Sequence, residues 1–268
     1  LFLYGSPMPQ VVCKFGGTSV STRENWNNIV AISKAHLKEG VQPVLVCSAL
    51  SQASNKLEKM IGAALLDEHH KLEQELKDSY IKLAQSLEVS AGLITAELDL
   101  LHKWLTGIAL LKEAPAKTCA QILSLGELMI TRLGHAFLQK QGLNCLWFDA
   151  RDALKTTPIS GGETLNYLAA RCKSDPNPTL AKKLMENGVD VILTQGFIAA
   201  NTQGETVLLG RGGSDTSAAL FAATLQAQQC EIWTDVPGIY TANPHQLPNA
   251  RLLKQLKYLK KENLVKKK

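Results

Sequence analysis

This sequence predicts an α/β fold built on a mostly parallel sheet, and three observations lead there. Short, almost wholly apolar segments of strand length (residues 11–15, 44–47 and 191–194) alternate with longer segments of helical spacing. Such continuous apolar runs suit strands covered on both faces, as parallel strands are. Three glycine-bearing segments (Gly16-Gly17, the run at 210–213 and Gly238) stand where strands are predicted to hand over to the next element.

The elements follow in order. Residues 11–15 form a β-rich run ending on Gly16-Gly17. Trp26, Ile29, Val30 and Leu37 share one helical face, and Gly40 closes that helix. Residues 44–47 predict a second strand, which ends at Ser48 and a polar loop through Asn55. From 56 to 112 the spacing is helical, with Leu57, Met60, Ile61, Ala64 and Leu65, then Leu72, Leu76, Tyr80, Leu83 and Leu87. This helical excursion is read as packing or as an oligomer contact. After Pro115 another helix carries Ile122, Met129, Leu133 and Phe137. Strands at 146–148, 206–209 and 232–233 and helices near 162–172, 178–187 and 214–229 complete the alternation.

Composition narrows the function classes. The chain has 268 residues, 45% hydrophobic and 20% charged, which suits a soluble globular protein of one large domain or two lobes sharing a sheet. No apolar run approaches the ~20 residues of a membrane span. Residues 1–9 lack the basic leader and long apolar core of a signal peptide. The six cysteines contain no Cys-x-x-Cys pair, so reduced thiols in a cytoplasm are expected, with no zinc site and no protein metal ligands. Of the 29 cations and 24 acids, eight cations and one acid lie from Arg251 onward, so the rest of the chain is net −2. Residues 251–268 therefore read as a basic tail. A nucleic-acid-binding body would need its own basic patch with interleaved aromatics, and this one has none.

The glycine segments carry the chemistry. In Lys14-Phe15-Gly16-Gly17-Thr18-Ser19 two glycines let backbone N–H groups approach an anion, and Lys14 adds a point charge. An ordinary tight turn explains that segment as well, and it is not a Walker A loop. In Gly210-Arg211-Gly212-Gly213-Ser214-Asp215-Thr216, Ser214 or Asp215 can cap the following helix. Three glycines beside an arginine at a helix start also make a site for carboxylate or phosphate. The third segment, Thr234-Asp235-Val236-Pro237-Gly238-Ile239-Tyr240, is turn chemistry at a strand's carboxyl end, where open α/β sheets bind ligands.

Taken with Gly126-Glu127 and Gln-Gly-Phe-Ile at 195–198, these segments resemble the aspartate kinases of the amino-acid kinase superfamily, in order and spacing from about Val11 to Pro244. The resemblance implies a three-layer α/β/α sandwich, an amino-acid kinase domain over 10–250. Residues 10–200 would form its aspartate lobe and 201–250 its nucleotide lobe. It implies ATP with Mg2+ as phosphoryl donor, L-aspartate as acceptor, and a homodimer. Lys14 would contact the phosphates, with Gly16 and Gly17 donating N–H groups and Ser48 near the transfer centre. Glu127 would accept the substrate ammonium and Arg211 would clamp its α-carboxylate. Ser214 and Phe197 would line that site, and Asp215 would organise Lys14. Thr234, Asp235 and Tyr240 would hold adenine and ribose. The plain alternatives are a solvent-facing or capping Glu127, a loop-capping Ser48, an Asp235 that braces the Pro-Gly turn, and a structural Asp149–Arg151 link.

The pattern also departs from the family. Asn243-Pro244-His245 stands where aspartate kinases commonly carry Asp-Pro-Arg, and the later Phe-Gly-Ala-Lys segment is missing. The length leaves no room for paired regulatory (ACT) domains. Two expectations follow, a kinase domain cut from a longer protein, such as a fusion with diaminopimelate decarboxylase, or a natural short form with weakened ATP binding. Two other readings are a kinase acting on glutamate or acetylglutamate, and a binding module without catalysis.

Overall fold

The computed structural model describes residues 8–234, 238, 241, 247 and 249–252. The chain divides into two compact units, Leu1–Trp233 and Thr234–Lys268. In the second, the described part is a short pairing in which Thr241 N–H donates to the Arg251 carbonyl and Arg251 N–H to Thr241 Oγ1.

The first unit opens with β1 (Gln10–Phe15), α1 (Arg23–Lys38) and β2 (Gln42–Cys47). Thr22 caps α1 by accepting from Asn25 N–H, and Gly40 leaves the helix at φ +74°. The predicted excursion is three helices, α2 (Ala53–Leu65), α3 (His70–Leu87) and α4 (Thr95–Leu111), each with its apolar stripe buried. Then come the 25-residue α5 (Ala116–Lys140), β3 (Cys145–Phe148), α6 (Ala150–Ala153), β4 (Thr156–Thr157), α7 (Gly162–Leu168), β5 (Arg171–Cys172) and α8 (Pro178–Met185). The unit closes with β6 (Val191–Gln195), β7 (Ile198–Ala200), β8 (Thr206–Leu208), α9 (Gly213–Leu225) and β9 (Gln229–Trp233).

The main sheet has the order β3-β6-β2-β1-β9, and every neighbouring pair is parallel. Side chains alternate across it, so one residue's partner fixes the face of its neighbour. Glu231, in register with Cys13, meets His36 of α1. Trp147, in register with Leu193 and so on the same face, donates to Thr131 of α5. Lys14, one residue on from Cys13, meets Asp215 of α9. Helices α1 and α5 thus cover one face and α9 the other, which gives the three layers.

Three expectations are corrected. The strand at 206–209 pairs antiparallel with β7 in a hairpin outside the main sheet, because Asn201–Gly204 turns the chain back on itself. The helix expected over 162–172 stops at Leu168, and Arg171-Cys172 pairs with Thr156-Thr157. The helix expected to 229 ends at Leu225, with Gln226 in the left-handed region, and Gln229 already belongs to β9. Asp149 and Arg151 do form a structural link: Asp149 caps α6, its carboxylate takes both ends of the guanidinium, and Arg151 Nη1 reaches Thr206. All six cysteines are free, and no helix among the described residues is long and apolar enough to cross a membrane.

The packing of α5 against α1 depends on one missing methyl group. A Cβ at Gly134 would lie 2.0 Å from Trp26 Cη2, and Trp26 is fully buried with Nε1 donating to the Val20 carbonyl. Gly134→Ala is therefore expected to lower stability by about 1–3 kcal/mol through overpacking. A drop in the urea midpoint at unchanged slope would register it.

Candidate active site

Parallel pairing brings the carboxyl ends of β1, β2 and β6 to one edge of the sheet, where open α/β sheets hold ligands. Gly16-Gly17, Ser48-Ala49 and Gly196-Phe197 follow those ends. Together with the turn before α9 and the middle of α5 they enclose a cavity of about 530 Å³. Eight of the residues singled out in the sequence line it: Lys14, Gly17, Ser48, Glu127, Phe197, Arg211, Ser214 and Asp215. Gly16 adjoins it, since a Cβ there would sit 3.6 Å from Lys14 Nζ. Thr234 is exposed at the start of the second unit, and Asp235 and Tyr240 lie outside the described residues.

Lys14 Nζ lies 2.7 Å from Asp215 Oδ1, with side chains 14% and 58% exposed. The pair joins β1 to the first turn of α9. Neither Ser214 nor Asp215 caps that helix, as the sequence had allowed. The N-cap is Gly212 at φ +70° with no side-chain cap, so the helix offers unsatisfied N–H groups and the positive end of its dipole. Arg211, exposed just before it, forms no ion pair among the described residues. Phe197 adopts φ +69°, a strained conformation for a bulky side chain that costs on the order of 1–3 kcal/mol. Its N–H donating to Ser217 Oγ and its carbonyl accepting from Leu209 N–H hold it there.

Glu127 does not face solvent. It sits in the middle of α5, 2% exposed, and its Oε1 accepts from Ala49 N–H at 3.1 Å. Its Oε2 is buried with no hydrogen-bond partner among the described residues. Burial pushes the carboxyl up to about 8, against the Ala49 hydrogen bond, which pulls it down. The preceding glycine makes the contact possible. A Cβ at Gly126 would fall 2.8 Å from Ala49 Cβ and force the loop after β2 away. The Gly126 carbonyl in turn accepts from the buried Tyr80 hydroxyl at 3.0 Å, tying α3 to this wall.

The arrangement suits anions. At neutral pH Glu127 mostly keeps its proton, which leaves Lys14, Arg211 and a helix N-terminus against the single charge of Asp215. Once ionised, Glu127 would also offer its orphaned buried oxygen to a cation such as an ammonium. Sequence reasoning missed the wall formed by Ser51, Gln52, Ser54 and Asn55. Its signal was present as a polar run directly after the carboxyl end of a fully buried strand.

The profile of the amino acid kinase family matches residues 9–267. The chain is 32% identical over 91% of its length to a bifunctional aspartokinase/homoserine dehydrogenase of Buchnera aphidicola, and it covers 30% of that protein. It is 31% identical over 92% of its length to the lysine-sensitive aspartokinase 3 of Escherichia coli, covering 54% of that protein. The crystal structure of E. coli aspartokinase III in complex with aspartate and ADP superposes with a TM-score of 0.75 at 29% identity, over 91% of this chain and 53% of that one. The chain thus spans from under a third to about half the length of these relatives. With a family profile that covers nearly all of it, laid over a parallel sheet flanked by helices, the chain belongs to the amino acid kinase family.

Proposed function

We propose that this chain transfers the γ-phosphoryl group of ATP to the side-chain carboxylate of L-aspartate, giving 4-phospho-L-aspartate and ADP. The observation that carries the reading is the convergence in one cavity of Lys14–Asp215, the uncapped start of α9 beside Arg211, and the buried orphan oxygen of Glu127. It is supported by similarity to proteins named aspartokinases and to one captured with aspartate and ADP.

The chemistry needs little from the protein beyond placement and charge. The nucleophile is a carboxylate with an ordinary pKa near 3.9, so it requires no base. One of its oxygens bonds to the γ-phosphorus while the bond from that phosphorus to the ADP oxygen breaks. Lys14 neutralises the transferring group, and N–H groups of the glycine turns and of α9 bind phosphate oxygens. Arg211 takes the α-carboxylate and Glu127 the α-ammonium, which gives the orphaned Oε2 a partner. Ser48 borders the transfer centre, Ser214 and Phe197 line the substrate wall, and Asp215 organises Lys14. The anion-binding groups of this cavity fit a nucleotide's phosphates, and Mg2+ brought with it would add charge neutralisation. Adenine and ribose are assigned to Thr234, Asp235 and Tyr240 on the family resemblance alone. So are the two lobes and the homodimer, while a cytoplasmic location is inferred from the cysteine pattern.

Hydroxylamine trapping tests the activity. ATP, Mg2+ and L-aspartate should yield aspartyl hydroxamate, and omitting Mg2+ should abolish it. Hydroxamate from glutamate or acetylglutamate in place of aspartate would reassign the acceptor. Tight ATP binding with no hydroxamate would mark a binding module.

A further inference from the structure

A second cluster of ligating side chains lies where α2 gives way to α3. One oxygen of Asp67 and one ring nitrogen each of His69 and His70 all lie within 4.8 Å of one another. His70 Nε2 is 3.9 Å from Asp67 Oδ1. Glu73, in the first turn of α3, brings Oε2 to 4.0 Å from His69 Nε2, and its Oε1 is 3.0 Å from His102 Nδ1 of α4.

His69 is the informative member. Its side chain is 1% exposed, yet neither ring nitrogen has a hydrogen-bond partner among the described residues. A buried polar group without a partner is unfavourable and rare. The neighbouring Asp67 and His70 are exposed, which leaves an ion a route in from solvent. Two imidazoles with carboxylates form the ligand chemistry of zinc-like ions. Tetrahedral bonds of ~2.0–2.2 Å would bring the donors to about 3.3–3.6 Å apart. Closing that gap would require the exposed Asp67 and His70 to swing toward His69, and Glu73 to turn toward all three.

We propose that Asp67, His69 and His70, with Glu73 as fourth donor, bind one divalent transition-metal ion of the zinc type. His102 holds Glu73 in place through its hydrogen bond, as the partners of metal ligands commonly do. The ion would pin the turn between α2 and α3 to the first turn of α3. The same pair of helices reaches the cavity, since Ser54 and Asn55 at the start of α2 line it and Tyr80 of α3 donates to the Gly126 carbonyl. The clamp thus stiffens the outer end of an element whose inner end walls the site.

The test is a titration of the untagged, metal-stripped chain with Zn2+ by calorimetry and with Co2+ by visible absorption. One ion per chain should bind with Kd below about 10 µM. Co2+ should give the intense band of a tetrahedral site, and Zn2+ should raise the melting temperature. The double variant Asp67→Asn/His70→Ala changes only exposed side chains and should melt like the parent without metal. It should bind Zn2+ about tenfold or more weakly and lose the cobalt band. Cys13→Ala, in the other three-donor group with His36 and Glu231, should bind as the parent does. Parent affinity weaker than about 100 µM, binding undiminished in the double variant, or binding abolished by Cys13→Ala would each overturn the site.

Discussion

Lys14→Ala is expected to lower the rate of aspartyl hydroxamate formation about 100- to 1000-fold while the melting temperature hardly moves. Among the described residues Lys14 is the only lysine that lines the cavity, and it stands at the end of β1 beside the glycine turn. Removing one preorganised charge from a transferring group costs about 2.7–4 kcal/mol of transition-state stabilisation. The effect on folding is separable. The partner left behind, Asp215, is 58% exposed, so water takes over its hydrogen bonds and the loss of the pair costs under about 1 kcal/mol. Lys14→Arg should recover little, because a planar fork does not replace a compact ammonium. A Lys14→Ala enzyme within threefold of the parent rate would remove Lys14 from the reaction. A large fall in melting temperature would show that the pair is structural.

Glu127→Gln should give the opposite split, a stabler protein that binds aspartate poorly. Burial raises the Glu127 carboxyl from 4.5 to about 8, so the native state keeps a proton that the unfolded chain gives up. The stability tied to this group is complete below about pH 4.5 and is lost as pH rises towards 8. Glutamine can still accept from Ala49 N–H and carries no charge to desolvate. The free protein should therefore gain on the order of 2 kcal/mol at pH 7, with its slope over that window flattened. Binding should suffer. A substrate ammonium needs the ionised carboxylate, and removing one partner of a buried pair costs about 3–5 kcal/mol. KM for aspartate should rise about 100-fold or more, with kcat affected less. In the parent, only about a tenth of Glu127 is ionised at pH 7, so KM should fall roughly tenfold between pH 7 and pH 9. A variant that matched the parent in KM and kept the same pH profile would move the ammonium site elsewhere.

Much of this was visible along the chain. Runs such as Val44–Cys47 announce buried parallel strands because every side chain in them must be apolar, whichever face it meets. The glycine segments announce anion sites because few other residues let backbone N–H groups come so close. Lys14, Arg211 and Asp215 stand out in those segments by sequence alone. Their arrangement was another matter. Only the family resemblance implied that Asp215 organises Lys14; no local pattern carries it, because the contact depends on β1 lying under α9, some two hundred residues apart in sequence. The hairpin of β7 and β8 reads like a sheet strand because apolar content does not say which neighbour a strand will pair with.

The sequence therefore carries the kind of fold, the chemical type of the site and most of its members, since these depend on local periodicity and on what each side chain can do. Proximity and environment come from the packing of distant segments. The carboxyl of Glu127 is an ordinary acid until α5 and the loop after β2 close over it, which Gly126 allows by having no side chain. Asp67, His69 and His70 are neighbours in the chain, but His69 loses its water and Glu73 gains His102 of α4 only in the folded helices. Burial and distance are properties of the folded whole, and no pattern along one strand or helix encodes them.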